Sequence, residues 1–462
     1  MANETQGTKA TRRAFLGSMT ALTAASYSRI LGANDRIGIG FIGFGLIGKQ
    51  HVYDFRESFP DVDRIGMCDV YKPRLEEGLA YMQGGPNAKG YTDFRKMYEN
   101  KDIDGIVVST PDHWHALLTI MACAAGKDVY VEKPLTVFND EGKWMLQAKD
   151  KYKRIVVVGT QRDHSPRHQV AKETIESGVL GKIQMAALGG SYRNLYPGFG
   201  RTPVEQPPAD LDYEMWLGPA PHKPYQNHRA LYHFRWFMDY SGGQITNSLS
   251  HRISAFLLVT GQKAPTKVVC FGGRYTLEDD GNTPDIQNAI IQFPDYPMTL
   301  GVRECSAYRA VPKAVIMGQK GTLDLRTNEI IPEPKGDPQR YVPPFQGHPI
   351  GGIVYGPRET TPWTEAREPD NTRASEHSNF YANKRDWIDC MRSRQQPFVN
   401  LERGHQTATI CNLATMSMQL GGRTIQWDPD KQEVIGDSEA AALCRRPYTP
   451  PWDAVLRSIV EV

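Results

Sequence analysis

The stretch Arg36-Ile37-Gly38-Ile39-Gly40-Phe41-Ile42-Gly43-Phe44-Gly45-Leu46-Ile47-Gly48 decides the fold of this chain. Its opening residues alternate and run apolar at Ile37, Ile39, Phe41 and Ile42, the pattern of a strand buried in a parallel sheet. The strand runs straight into a GxGxxG turn. Gly43 permits the tight bend, Gly45 lets backbone amides approach a pyrophosphate, and Gly48 lets helix and strand pack closely. The amides and dipole that open the following helix then hold negative phosphates. Phe44, Leu46 and Ile47 share the turn with the glycines and count with them as cofactor-binding positions.

Context strengthens a motif that is weak alone. A second apolar segment, Arg64 to Cys68, ends in Asp69, which lies 69 − 48 = 21 residues beyond the last glycine. A ribose-binding acid belongs about 20 residues on. Its carboxylate accepts from a 2′-hydroxyl and repels a 2′-phosphate, which favours NAD. Lys72 and Arg74 keep NADP open as the alternative. Two further βα units follow. Ile103 to Ser109 reads as a strand leading into Thr110-Pro111-Asp112-His113-Trp114-His115, with Pro111 placed at a helix start. Asp128 to Val131 reads as a strand ending in Glu132-Lys133-Pro134. Thr110, Pro111, His115, Glu132 and Lys133 therefore fall at carboxyl ends of strands, where open parallel sheets bind ligands. The sequence predicts a Rossmann domain over residues 34–158.

The whole chain has 462 residues, 40% of them hydrophobic and 23% charged, which is the mixture of a globular protein of two or three domains. The net charge is +2 and no long Lys/Arg run occurs, so nothing calls for a nucleic-acid partner. No apolar run approaches the ~18 residues of a membrane span. Seven scattered cysteines form no CxxC pair and read as small core residues. The histidines 113, 115, 164 and 168 lack the spacing and the clustered acids of a metal site. Residues 1–33 read differently. Thr11-Arg12-Arg13-Ala14-Phe15-Leu16 is a twin-arginine motif before a short stretch of small residues, Gly17 to Ala25. It implies export, to a periplasm or beyond, of a protein that folds first.

GFGLIG at 43–48, Asp69, TPDHWH at 110–115 and EKP at 132–134 together resemble the glucose–fructose oxidoreductase and inositol dehydrogenase-like family, Gfo/Idh/MocA. Gly159 to Arg162, Arg235-Trp236-Phe237, Asp239 to Gly243 and Glu402 to His405 extend the resemblance toward an exported branch. It implies a second α/β domain, residues 159–462, with a large, mostly antiparallel open sheet that faces the nicotinamide and joins protomers into a dimer or tetramer. Strand-like stretches at 183–189, 266–271, 289–293, 298–302 and 314–317 agree with it. The proline-rich run from Pro203 to Pro224 reads as a long surface excursion.

The family carries Asp-x-x-x-His early on a helix of the second domain, beside the lysine of EKP. Positions i and i+4 share a helix face, so both side chains can address one sugar hydroxyl. Here His251 matches the histidine, but the aspartate position is Asn247. Asparagine orients a hydroxyl or an imidazole but holds no charge, which makes His251 a weaker base or leaves Lys133 with the role. Catalytic expectations therefore fall on Lys133, Asn247 and His251, and substrate contacts on Arg162, Tyr192, Arg193 and Arg235. The resemblance implies an NAD(P)-dependent oxidoreductase of a sugar, glycoside or polyol, with tightly held cofactor. A redox-neutral NAD-dependent glycoside hydrolase or lyase is the alternative, and a non-catalytic, NAD-containing sugar binder a third reading.

Overall fold

Ile37–Ile42 forms strand β1, buried along its whole length, in a computed structural model that describes residues 36–191, 196–305, 314–333, 341–342, 352–353 and 373–462. The twin-arginine segment, Tyr192 and Arg193 lie outside the described residues. Five strands join β1: β2 (Val62–Cys68), β3 (Lys89–Tyr91), β4 (Gly105–Val108), β5 (Asp128–Val131) and β6 (Val156–Val158). Their order is β3-β2-β1-β4-β5-β6 and every pairing is parallel. Chain direction across the sheet reverses between β1 and β4. That reversal opens a crevice beyond the carboxyl ends of the strands, where such sheets bind ligands.

The second domain is built on nine strands: β7 (Ile183–Ser191), β8 (Lys267–Gly273), β9 (Ile286–Gln292), β10 (Pro297–Arg303), β11 (Val315–Gly318), β12 (Gly321–Asp324), β13 (Ile330–Pro332), β16 (Ile425–Asp428) and β17 (Glu433–Val434). A separate short pair is β14 (Tyr341–Val342) with β15 (Gly352–Ile353). The nine-stranded order is β13-β12-β11-β7-β10-β9-β8-β16-β17. Only β7 and β10 run parallel to each other; the other pairings are antiparallel. This is the expected architecture, a Rossmann domain followed by an α/β domain with a large, mostly antiparallel sheet. Alternate residues of β9 and β10 are buried against the helices Ser250–Thr260 and Leu401–Gln419, through a core that includes Ile253, Phe256, Ile291 and Leu413. The opposite face stays open, with Phe271, Ile290 and Ile331 exposed.

Packing crosses the sequence boundary near residue 158. The helix Arg373–Ser393 lays Trp387, Ile388 and Met391 against Phe55 and Tyr130 on one face of the first sheet. The last helix, Trp452–Ile459, sets Trp452 against Phe94 and Trp114 on the other. Both faces of the first sheet therefore depend on the end of the chain.

One expectation fails. The segment from Pro203 to Pro224 is not merely a surface excursion. Leu211, Tyr213, Trp216 and Leu217 enter a buried cluster with Phe234, Phe237 and Tyr240. The Trp216 carbonyl accepts from Trp114 Nε1 at 3.0 Å and lies 3.0 Å from His113 Nε2. The prolines mark the turns of this segment but hide its four large apolar anchors, whose burial outweighs the polar composition. Among the described residues, no helix is long and apolar enough to cross a membrane.

Candidate active site

Gly43 holds φ at +89°, a left-handed conformation that glycine alone adopts without cost, and a Cβ there would sit 2.7 Å from the Ser109 carbonyl oxygen. At Gly45 nothing lies within 4 Å of where a Cβ would point. The turn is thus crowded on its inner side and open at the position where a pyrophosphate must approach. The helix Leu46–Ser58 begins with no side-chain cap, which leaves its first amides available to an anion. Phe44 and Gly48 shape the turn from inside: Phe44 is buried, and a Cβ on Gly48 would collide with the Gly43 carbonyl. These features fit a dinucleotide.

A cleft opens from this turn. Gly43, Gly45, Leu46, Ile47, Asp69, Arg74, Thr110, Pro111 and Arg235 line it, together with Trp114 and Trp216. Asp69 stands at the end of β2 with its oxygens already anchored. Oδ2 accepts from the Phe44 amide at 2.8 Å and Oδ1 from the Tyr71 amide at 2.9 Å. Burial raises its pKa, while these two amides and the Arg74 charge pull it back. The acid therefore fixes the glycine turn as well as facing the cleft. His115 reaches Pro134 and Thr110 instead: its ring nitrogens lie 2.7 and 3.0 Å from those two carbonyl oxygens, which clasps the ends of two strand-to-helix turns.

Glu132, fully buried, lies 3.0 Å from His51 Nε2, and its other oxygen accepts from the Lys133 amide at 3.1 Å. Burial alone would raise this carboxyl, but His51, Lys133 and Lys384 hold it below its usual value. Lys133 then reaches across to the second domain. Its Nζ donates to the Asn247 carbonyl oxygen at 3.1 Å and to Asn247 Oδ1 at 2.9 Å. With two N–H bonds spent on Asn247, one tetrahedral position of Nζ remains. Burial lowers the lysine pKa; Glu132 opposes this, and Arg235 and Arg162 add to it.

His251 lies four residues after Asn247, buried, with Nδ1 lacking a hydrogen-bond partner. Burial drives its pKa well below the ordinary value, and Lys133, Arg162 and Arg252 push the same way. The cations around this imidazole make it a neutral hydrogen-bonding group and a poor proton acceptor. The structure therefore brings Lys133, Asn247, His251, Arg162 and Arg235 within electrostatic reach of one another. Gln244, which the sequence did not single out, also joins this group: its Oε1 accepts from Asn247 Nδ2 at 3.3 Å. Among the described residues, no cluster of three or more His, Cys, Asp or Glu is placed to hold a metal.

A glycine turn at a parallel-sheet switch point, with a lysine at the same edge of the sheet clasped by a second α/β domain, defines a two-domain dinucleotide-binding protein. The family model described as an oxidoreductase family with NAD-binding Rossmann fold matches residues 37–160. Its companion, the oxidoreductase family C-terminal alpha/beta domain, matches residues 166–275 and 368–454. The chain belongs to this Gfo/Idh/MocA oxidoreductase family. It is 28% identical over 147 residues to inositol 2-dehydrogenase of Salmonella paratyphi B, covering 32% of this chain and 43% of that protein. It is 27% identical over 203 residues to a glycosyl hydrolase family 109 protein of Shewanella pealeana, covering 37% and 44%. The chain thus spans about half the length, 43% to 51%, of the curated relatives it matches. A levoglucosan dehydrogenase solved with NADH and levoglucosan superposes with a TM-score of 0.61 at 16% identity, covering 85% of this chain and 99% of that one. At that identity the likeness speaks for the fold.

Proposed function

We propose that this protein is an NAD-dependent oxidoreductase of a sugar, glycoside or polyol. The carrying observation is Lys133, at the carboxyl end of β5 where such sheets meet ligands, held by Asn247 with one Nζ position left over. A bound nicotinamide supplies the hydride acceptor. Lys133, its amine made easier to deprotonate by burial, takes the hydroxyl proton at Nζ. Asn247 fixes the ammonium, and neutral His251 hydrogen-bonds the same or a neighbouring hydroxyl. Arg162 and Arg235 supply donors for a polyhydroxylated ligand, as do Tyr192 and Arg193 in this reading. The similarity to inositol 2-dehydrogenase supports a polyol or sugar.

The similarity to a glycosyl hydrolase family 109 protein supports the second reading, in which the same sugar is oxidised and re-reduced around an elimination step. The twin-arginine motif favours such a closed cycle. An exported protein meets no free dinucleotide pool, so it is suited to keeping its cofactor. The exposed Phe271, Ile290 and Ile331 on the open sheet support self-association through that face.

Nicotinamide content of protein purified from the periplasmic fraction tests this reading. Near-stoichiometric NAD, released only on denaturation, is expected. Empty protein that binds NAD reversibly, or protein retained in the cytoplasm, would sink the closed cycle and the export with it. The choice of NAD has its own test. Asp69→Asn keeps one anchoring acceptor but removes the charge that repels a 2′-phosphate. The ratio of NADP to NAD dissociation constants should fall by roughly tenfold, about 1.4 kcal/mol. An unchanged ratio would assign discrimination elsewhere.

A further inference from the structure

Asp69 marks the adenosine half of a dinucleotide, because an acid at that place takes the hydroxyls of the adenosine ribose. The cleft beside it has two walls. The loops after β2 and β4 supply one, through Val70, Thr110 and Pro111; Trp216, Leu231 and Tyr232 supply the other. The second wall belongs to residues 196–243, a segment of the second domain that follows β7 and ends at the helical turn Gln244–Asn247. A Rossmann sheet offers its crevice from one side only. Here another part of the chain lies across that side.

The segment is fastened to both loops of the first wall. The Asp212 amide donates to the Val70 carbonyl oxygen at 2.9 Å, and the Lys72 amide donates to the Asp210 carbonyl oxygen at 2.9 Å. Residues 70–72 and 210–212 therefore pair as two short antiparallel strands do, with Tyr71 opposite Leu211. On the other loop, Trp114 Nε1 donates to the Trp216 carbonyl oxygen, and the buried Ser241 hydroxyl donates to Asp112 Oδ2 at 2.6 Å. Gly218 lies so close to Trp114 that a Cβ there would meet the indole at 2.1 Å. From behind, the Thr449 hydroxyl donates to the Ala220 carbonyl oxygen at 2.7 Å. The two loops that flank the adenosine half cannot part while this segment joins them.

Between the fastened stretches lies a strained turn. The Tyr232 amide donates to the Ala230 carbonyl oxygen at 2.7 Å, which closes a three-residue turn around Leu231. Leu231 holds φ at +58°, a conformation unfavourable for a branched side chain. Strain of this kind collects at ligand clamps, and both Leu231 and Tyr232 line the cleft. We propose that the Ala230–Tyr232 turn roofs the adenosine half of the bound dinucleotide, and that the fastened segment makes this turn the barrier to cofactor exchange. This rests on the reading of the protein as NAD-dependent. With both loops tied, the turn is the part that must yield for the nucleotide to enter or leave. Tyr232 is 46% exposed, so its outward swing meets little packing. Retention is thus set at the adenosine end, apart from the chemistry of Lys133, Asn247 and His251.

Leu231→Gly with Tyr232→Ala removes the roof and relaxes the turn, since glycine adopts a positive φ freely. The fastening bonds belong to other residues and survive. The full-length protein, with the dinucleotide it carries, is incubated with radiolabelled NAD, freed of unbound label at intervals and counted. Unfolding then gives the total nucleotide bound. We expect slow uptake of label by wild type and uptake roughly tenfold or more faster in the variant, carried by dissociation. Lys72→Pro deletes one fastening amide at the first position of the helix Lys72–Met82, where proline is tolerated, and should speed uptake with the turn left intact. Wild type that exchanges at once, or two variants as slow as wild type, would overturn the roof while leaving NAD dependence standing. Protein that in no form carries or takes up NAD would overturn the dinucleotide reading itself, and the roof with it.

Discussion

Lys133→Met should reduce turnover by about 10³-fold, within the 10²–10⁴ that a positioned acid–base group contributes, while the protein still folds and still binds NAD. Methionine matches the length and apolar stem of lysine, so the packing around the chain survives. What disappears is Nζ, with its two bonds to Asn247 and its one remaining position. Lys133→Arg divides the two roles open to that group. A guanidinium donates to Asn247 and carries the same charge, but it does not deprotonate near neutral pH. If Nζ accepts the hydroxyl proton, arginine should be nearly as inactive as methionine. If the charge alone matters, arginine should retain a tenth or more of the activity, and the assignment of Lys133 as base would be wrong. The sign of the pH effect follows from the same residue. Burial lowers the lysine pKa, so the neutral, accepting form grows as the pH rises and kcat should rise with it on the alkaline side. Methionine should flatten that rise.

The cofactor half of the site was legible in the sequence because its parts are local. A buried strand, a glycine turn and an acid 21 residues on are specified by spacing alone, and the structure brings the turn and the acid to one cleft. Strands β1, β2, β4 and β5 announce themselves as apolar runs. β3 does not: its residues are exposed or half-buried, and only pairing with β2 makes Lys89–Tyr91 a strand. The Pro203–Pro224 segment was misread for a related reason, since Trp216 owes its burial to partners more than ten residues away, in Phe234 and Tyr240. The same limit governs the catalytic half. Asn247 and His251 could be placed by their four-residue spacing, but that Lys133 meets Asn247 spans 114 residues.

Lys384 is the clearest case of a residue whose importance only the fold reveals, and its replacement should have the largest effect on stability. In the sequence it is one basic residue of a polar helix. In the structure it is fully buried and donates to Asp54 Oδ2 at 2.8 Å, with its Nζ 4.7 Å from the centre of the Phe380 ring. Gln50 supplies a second donor to Asp54, at 2.7 Å. The pair joins the helix Arg373–Ser393 to the helix that carries the glycine turn. Lys384→Met would leave the buried Asp54 carboxylate without the cation that faces it. Removing one member of a buried pair costs about 3–5 kcal/mol, mostly the penalty of the stranded charge. A large fall in the thermal midpoint is expected, with faster hydrogen exchange over residues 379–393 as Trp387 loses its seat. Lys384→Met with Asp54→Leu removes both charges and refills the space, and should recover most of the loss. If the single variant is as stable as wild type, the charge has found water, and the helix does not seal this face. If the double variant is as unstable as the single, the pair contributes more by fixing the helix register than by cancelling charge. In that case Glu132, whose carboxyl the Lys384 charge also helps to hold down, links this distant helix to Lys133, and turnover should fall in both variants alike.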